Sequence, residues 1–254
     1  MDDHSQLRER VAKACRIMGL MGLAKGVTGH ASARIPGTDR ILVRARGPNE
    51  LGVRFTTADQ IVEVTLDGKL ASPNEGGLKA PKEVYIHTSV YKSRPDVYGV
   101  IHAHPMNVVL FTICRKPLRP LFGAYDPDAA KLAINPLPVY PRSILCDTPE
   151  RGDELASALG ADKGCLMTGH GITTCGPNVE EATMTALALD ELALVNYRAS
   201  MLGDPVDIPV DEQQFIQAID SDLQQAASGA PPAGRAISQW RYYCMLQEST
   251  RGQI

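Results

Sequence analysis

The sequence predicts a mixed α/β domain, a sheet with helices packed on its faces. Three observations point there. Strand-like and helix-like segments alternate along the chain, the mark of a sheet with helical connections. Turn sequences of the hairpin kind separate some of the strand-like runs, so the sheet is not purely parallel. The length of 254 residues, with 44% hydrophobic and 22% charged residues, suits one large soluble domain.

The elements follow in order. A first helix is expected over Leu7–Met21, with Val11, Cys15, Met18 and Leu23 near one face. Gly26-Val27-Thr28-Gly29-His30 breaks it. Residues 31–34 and 40–44 read as short strands around the turn Pro36-Gly37-Thr38-Asp39. Ile61–Leu66 alternates like a strand and ends at the turn pair Asp67-Gly68. Lys79-Ala80-Pro81-Lys82-Glu83 resembles a helix start, with proline tolerated in the first turn, and the helix should run to about Lys92 before Arg94-Pro95. Val97–Ala103 is then a buried strand, followed at Pro105 by another helix. Leu137–Tyr140 and Gly164–Met167 are further strands. Val179–Leu202 is the longest helical pattern, stopped by Gly203 and Pro205. Residues 203–235, with an Ala/Gly/Pro patch at 227–234, read as a linker or mobile lid before a short last helix around Trp240.

Composition narrows the function. The net charge is −3 and there is no block of Lys and Arg, which argues against nucleic acid as a partner. No apolar run has the ~18 residues of a membrane span. The opening MDDHSQLRER lacks the pattern of a secretory signal, and six scattered cysteines without a C-x-x-C pair suit reduced thiols, so a cytoplasmic protein is expected.

The strongest chemical signal is Val100-Ile101-His102-Ala103-His104-Pro105. Alternating strand side chains put His102 and His104 on one face, close enough to share an ion. His170, flanked by Gly169 and Gly171 after a strand, adds a third ligand, and three ligands with an open position are the usual catalytic metal set. Three histidines and a carboxylate suit Zn, Mn, Fe or Co, one divalent ion per subunit. Glu83, at the start of the helix before the histidine strand, is placed to ligate the ion or to move a proton. His87, one turn on, reads as structural. The segment containing His30 and Ser32 suits an anion or carboxylate, and Arg46-Gly47 offers a guanidinium fork of the same use.

Gly29-His30-Ala31-Ser32, Glu83, Arg94-Pro95-Asp96-Val97, His102-Ala103-His104-Pro105 and Gly169-His170-Gly171 occur here in an order that resembles the class II aldolase/adducin family, over residues 7 to 205. The resemblance implies a three-layer α/β/α fold with a mixed, largely antiparallel sheet. It implies a divalent metal on His102, His104 and His170, with Glu83 as acid/base or additional ligand. It further implies a homotetramer with active sites between subunits. Residues 1–205 form the catalytic domain on this reading. Residues 206–254 are an extension or lid on the same domain or on a neighbouring subunit.

Where sugar-phosphate aldolases of the family carry Asn, this chain has His30, and where they carry a Ser pair before the Glu, it has Pro81-Lys82. The loop instead is similar to that of the family's decarboxylases of hydroxylated aromatic (benzene or pyridine) vicinal dicarboxylates. The expected function is that carbon–carbon lyase reaction, with 3,4-dihydroxyphthalate giving protocatechuate as one case and a pyridine diacid as another. A sugar or sugar-phosphate aldolase or epimerase is the alternative. On the decarboxylase reading Arg46, His30, Ser32 and Gly47 hold the substrate, Glu83 shuttles the proton, and Tyr140 is a proton donor from the neighbouring subunit or a packing residue.

Overall fold

A computed structural model describes residues 4–73, 76–226 and 235–250. A seven-stranded sheet has β1 (His30–Arg34), β2 (Arg40–Arg44), β3 (Ile61–Thr65), β4 (Gly99–Ala103), β5 (Val139–Tyr140), β6 (Gly164–Met167) and β7 (Gly171–Gly176) in the order β3-β2-β1-β4-β7-β6-β5. Every pairing is antiparallel except β5 with β6. The helices are α1 (Ser5–Leu20), α2 (Val84–Ser93), α3 (Met106–Ile113), α4 (Pro127–Ile134), α5 (Pro149–Leu159), α6 (Val179–Leu202), α7 (Val210–Ala226) and α8 (Arg235–Ser249).

Strand alternation builds two cores and hence three layers. Ala31, Ala33, Ile101, Ala103 and Ile172 pack with α1, α3, α4, α6 and α8 on one face. Val43, Val64, Val100, Cys165 and Cys175 pack with α2 and α5 on the other. By the same alternation His30, Ser32 and His102 share the α2 face with Val100, and this places the polar residues discussed below.

Glycine is required at two contacts. A Cβ on Gly99 would lie 2.3 Å from the Asn178 carbonyl oxygen, so only glycine lets the start of α6 sit on β4. A Cβ on Gly171 would lie 2.1 Å from the Ala103 oxygen, where the β6–β7 turn closes on the histidine strand.

Three expectations change. The second helix begins at Val84, not before, because Arg46 and Lys79 exchange two 2.9 Å backbone hydrogen bonds that hold residue 79 extended. The supposed linker contains α7, whose Ile216 packs with Ile208 against Ala130 of α4, while the Ile208 N–H donates to the Pro120 carbonyl at 2.8 Å. The Ala/Gly/Pro patch at 227–234 lies outside the described residues. Beyond it, α8 is tied to the first helix: buried Arg16 donates to Gln247 Oε1 and to the Thr56 carbonyl, each at 2.8 Å, and Trp240 enters the α1–α6 core. Finally, α4, α5 and β7 were not expected as elements. β7 is a central strand buried along its whole length, so it shows no polar alternation.

Candidate metal centre

β4 carries the two histidines of the H-x-H motif to the end of the sheet, where the β6–β7 turn and the start of α2 meet them. Gly169 holds the left-handed conformation there, φ +59°, and swings His170 toward β4. Glu83 is the N-cap residue of α2, yet its side chain makes no capping bond. It turns instead to the histidines: Oε2 lies 3.5 Å from His102 Nε2 and Oε1 3.5 Å from His170 Nε2. The Cys146 N–H, from the loop before α5, donates to Oε1 at 2.9 Å.

One ligand atom each from Glu83, His102, His104 and His170 lies within 4.8 Å of all the others. His102 Nδ1 donates to the Ile172 carbonyl at 3.0 Å, which fixes the ring and leaves Nε2 as a bare lone pair. That lone pair faces His104 Nε2 at 2.9 Å. Convergent lone pairs and a carboxylate in a buried spot are the donor set of a divalent cation, so the residues fit the metal the family implies.

Burial pushes the Glu83 carboxyl upward. The neighbouring His102 and His170 rings and the hydrogen bond from the Cys146 N–H more than offset it, holding the acid well below the usual range. Burial also lowers His104, to about 3, helped by the neighbouring His102 and His170 rings. Burial lowers His102 as well, so these two rings are neutral and the carboxylate is ionised, as metal binding needs.

The centre forms one wall of a cavity of about 450 Å³. His30, His104, His170, Glu83, Arg46 and Lys82 reach it. Arg46 is exposed, and its Nε donates to the Ala80 carbonyl at 3.1 Å. Lys82 has no polar partner among the described residues. Arg44, also on the wall, is buried and spent: it pairs with Glu50 and donates to Gly29 O and Thr56 Oγ1.

Three expected site residues lie elsewhere. Ser32 is buried behind His30, its hydroxyl 2.6 Å from His87 Nδ1 and 2.9 Å from the Tyr91 hydroxyl, so it cannot touch substrate. Gly47 packs on Leu78 and does not line the cavity. Tyr140 is 1% exposed in the α2–α5 core with its hydroxyl 3.4 Å from Glu154 Oε2, which closes it off from a neighbouring subunit's site. Lys82, Cys146 and the Ser143–Leu145 loop were missed. Lys82 had a sequence signal, its place beside Glu83. The loop had none, since only the return of the chain before α5 brings it to the cavity.

Fold and site together define a candidate metal centre on a three-layer α/β/α scaffold. The chain belongs to the family described as Class II Aldolase and Adducin N-terminal domain, which it matches over residues 9–197. It is 40% identical over 240 residues to the 3,4-dihydroxyphthalate decarboxylase of Arthrobacter keyseri, covering 93% of this chain and 96% of that protein. It is 36% identical to the protein of the same name from Rhodococcus jostii (strain RHA1), over 90% of this chain and 95% of that one. L-fuculose phosphate aldolase of Escherichia coli (strain K12) is 26% identical, over 83% of this chain and 92% of its own. In fold, an aldolase II superfamily protein from Pseudomonas syringae superposes with a TM-score of 0.81 at 20% identity, covering 99% of this chain and 95% of that one. Among the described residues no helix is long and apolar enough to cross a membrane.

Proposed function

We propose that the chain is a divalent-metal-dependent decarboxylase of a hydroxylated aromatic vicinal dicarboxylate, with 3,4-dihydroxyphthalate as the benzene case. The observation that carries the reading is one cavity that joins the three-histidine, one-carboxylate cluster to two cationic side chains, Arg46 and Lys82. The decarboxylase relatives, similar over nearly the whole chain, support the substrate class.

His102, His104 and His170 would hold a divalent cation, with Glu83 as ligand or neighbour, and the ion would supply Lewis acidity for the negative charge that develops on a substrate oxygen. The Glu83 carboxylate is ionised and stands at the cavity wall, so it takes the proton of the ring hydroxyl and returns it to the carbon that carries the departing carboxylate. The Cys146 N–H orients Glu83 for this. Arg46 and Lys82 hold the carboxylate that stays, and His30 adds a contact from the opposite side. Ile144 and Leu145, both exposed at the cavity, offer apolar cover for a flat ring.

We further propose a cytoplasmic homotetramer with sites between subunits. Light scattering that finds an active monomer at assay concentration would overturn the tetramer. The function is tested by incubating metal-loaded protein with 3,4-dihydroxyphthalate, with a pyridine diacid and with a sugar phosphate. Release of CO2 from an aromatic acid is the expected result. Aldol cleavage of the sugar phosphate without CO2 release would transfer the chain to the aldolases.

A further inference from the structure

Behind the cavity lies a second polar cluster, of which the proposed reaction uses only His30. Four side chains form an unbroken hydrogen-bonded line: Tyr91 OH to Ser32 Oγ at 2.9 Å, Ser32 Oγ to His87 Nδ1 at 2.6 Å, and His87 Nε2 to His30 Nδ1 at 2.6 Å. Tyr91, Ser32 and His87 are sealed in the sheet–α2 interface, and only His30 reaches the cavity. We infer that this chain fixes the tautomer of His30 with its proton on Nε2, which makes His30 a neutral N–H donor aimed at an anionic oxygen of the substrate and keeps it out of the metal's ligand set.

The distances give the chain its direction. Tyr91 is a buried phenol whose one side-chain hydrogen-bond partner among the described residues is Ser32, so it donates to Ser32 Oγ. Ser32 has one hydrogen to give. Its alternatives are His87 Nδ1 at 2.6 Å and the Val100 carbonyl at 3.5 Å, and the shorter contact takes it. A neutral His87 that accepts at Nδ1 carries its proton on Nε2 and donates to His30 Nδ1. A neutral His30 that accepts at Nδ1 carries its own proton on Nε2. That nitrogen has no protein partner among the described residues.

The consequence bears on specificity. His30 and His102 are register partners on β1 and β4, with ring centres 5.1 Å apart, so His30 stands beside the metal set. A protonated Nε2 has no lone pair for a metal but matches a carboxylate or ring oxyanion. His30 is then a binding residue, while His87, Ser32 and Tyr91 are positioning residues that act through it.

This inference rests on the decarboxylase reading for the identity of the bound anion, though not for the tautomer. The test therefore reads the rings directly. Zn-loaded protein labelled with 15N in its histidine rings is examined by NMR, with signals assigned through His30→Asn and His87→Asn. The expected result is a protonated Nε2 and bare Nδ1 on both His30 and His87. A proton on Nδ1 of either ring would overturn the inference, whatever the enzyme acts on. In Ser32→Ala, His87 loses the donor that sets its tautomer. Its ring should no longer be held in the single Nε2-protonated form, and KM for the aromatic diacid should rise about 2- to 10-fold, with metal content unchanged and kcat nearly so. Ring signals and KM both as in the parent protein would also overturn it. If Ser32→Ala does not fold, the parent spectrum still decides. Protonated Nε2 signals without CO2 release from any aromatic diacid would instead remove the decarboxylase reading and leave the tautomer assignment standing.

Discussion

Two histidine clusters sit side by side across β1 and β4, and they are built on opposite rules. In the metal cluster, polar atoms of the same kind face one another: His102 Nε2 meets His104 Nε2 at 2.9 Å, with Glu83 oxygens 3.5 Å from His102 and from His170. In the chain behind it, every contact joins a donor to an acceptor, and only the outward Nε2 of His30 is left to an atom from the cavity. The metal cluster is buried to half-buried and the chain behind it is buried, and both are rich in histidine. The balance of donors and acceptors separates them. Surplus lone pairs ask for a cation, whereas a balanced line only sets orientation.

The comparison breaks most visibly at the metal ligands. His102→Ala, His104→Ala and His170→Ala should each lose the bound metal and at least about 10³-fold in turnover, with the fold kept. Elemental analysis showing full occupancy in any one of them removes that residue from the ligand set. In contrast, His87→Gln, on the satisfied side, should bind metal in full. Glu83→Gln should fold and retain substantial metal while turnover drops about 10²- to 10⁴-fold. Parent-level turnover would take Glu83 out of the reaction.

Arg46→Ala comes next in size. Losing a charge-assisted bond of roughly 1.5–3 kcal/mol should raise KM for the dicarboxylate about 10- to 150-fold, with metal content unchanged. An unchanged KM would pass the anchoring role to Lys82.

The satisfied chain also predicts an acid sensitivity. Burial lowers His87 from 6.5 to about 3, so the folded state resists the proton that the unfolded chain accepts. Its contribution is complete above pH 6.5 and is lost as the pH falls from there toward 3. Thermal unfolding of metal-free protein should follow that course, and His87→Gln should flatten it. Equal slopes for the two proteins would show that His87 is not the titrating group.

The smallest effect on activity is expected far from both clusters. Trp240→Ala should cost about 3 kcal/mol of stability through the cavity it leaves, with kcat per folded molecule unchanged. A lowered kcat at full folding would restore the lid once expected of this region.

The legible parts of the molecule were those whose information is local. The α6 span was readable from its period and its stops at Gly203 and Pro205. Two missed helices also carried local signals. Thr148-Pro149 and Asp126-Pro127 each put a capping side chain before a proline at the first helical position, and both caps are made in the structure. α7 likewise opens after Pro209 with Asp211 and Glu212 in its first turn. β7 lacked such a signal because both its faces are buried.

What the sequence alone determined was which three histidines converge with Glu83. H-x-H on a strand and a glycine-flanked histidine in a turn are short-range geometry, and a strand's period of two is enough to aim His102 and His104 together. What only the tertiary structure decided was which remaining polar residues face the cavity. His30 and Ser32 are two apart on the same strand face, and sequence treats them alike. α2 crosses that face and brings His87 and Tyr91 onto Ser32, which buries the serine and leaves the histidine at the cavity edge. Likewise Tyr140 is sealed by α5, and Lys82 reaches the cavity because the Arg46–Lys79 bridge sets the path of the chain into α2. Such choices depend on contacts between separate segments, from 14 residues apart for Tyr140 and Glu154 to 59 for Ser32 and Tyr91, and no local pattern encodes them.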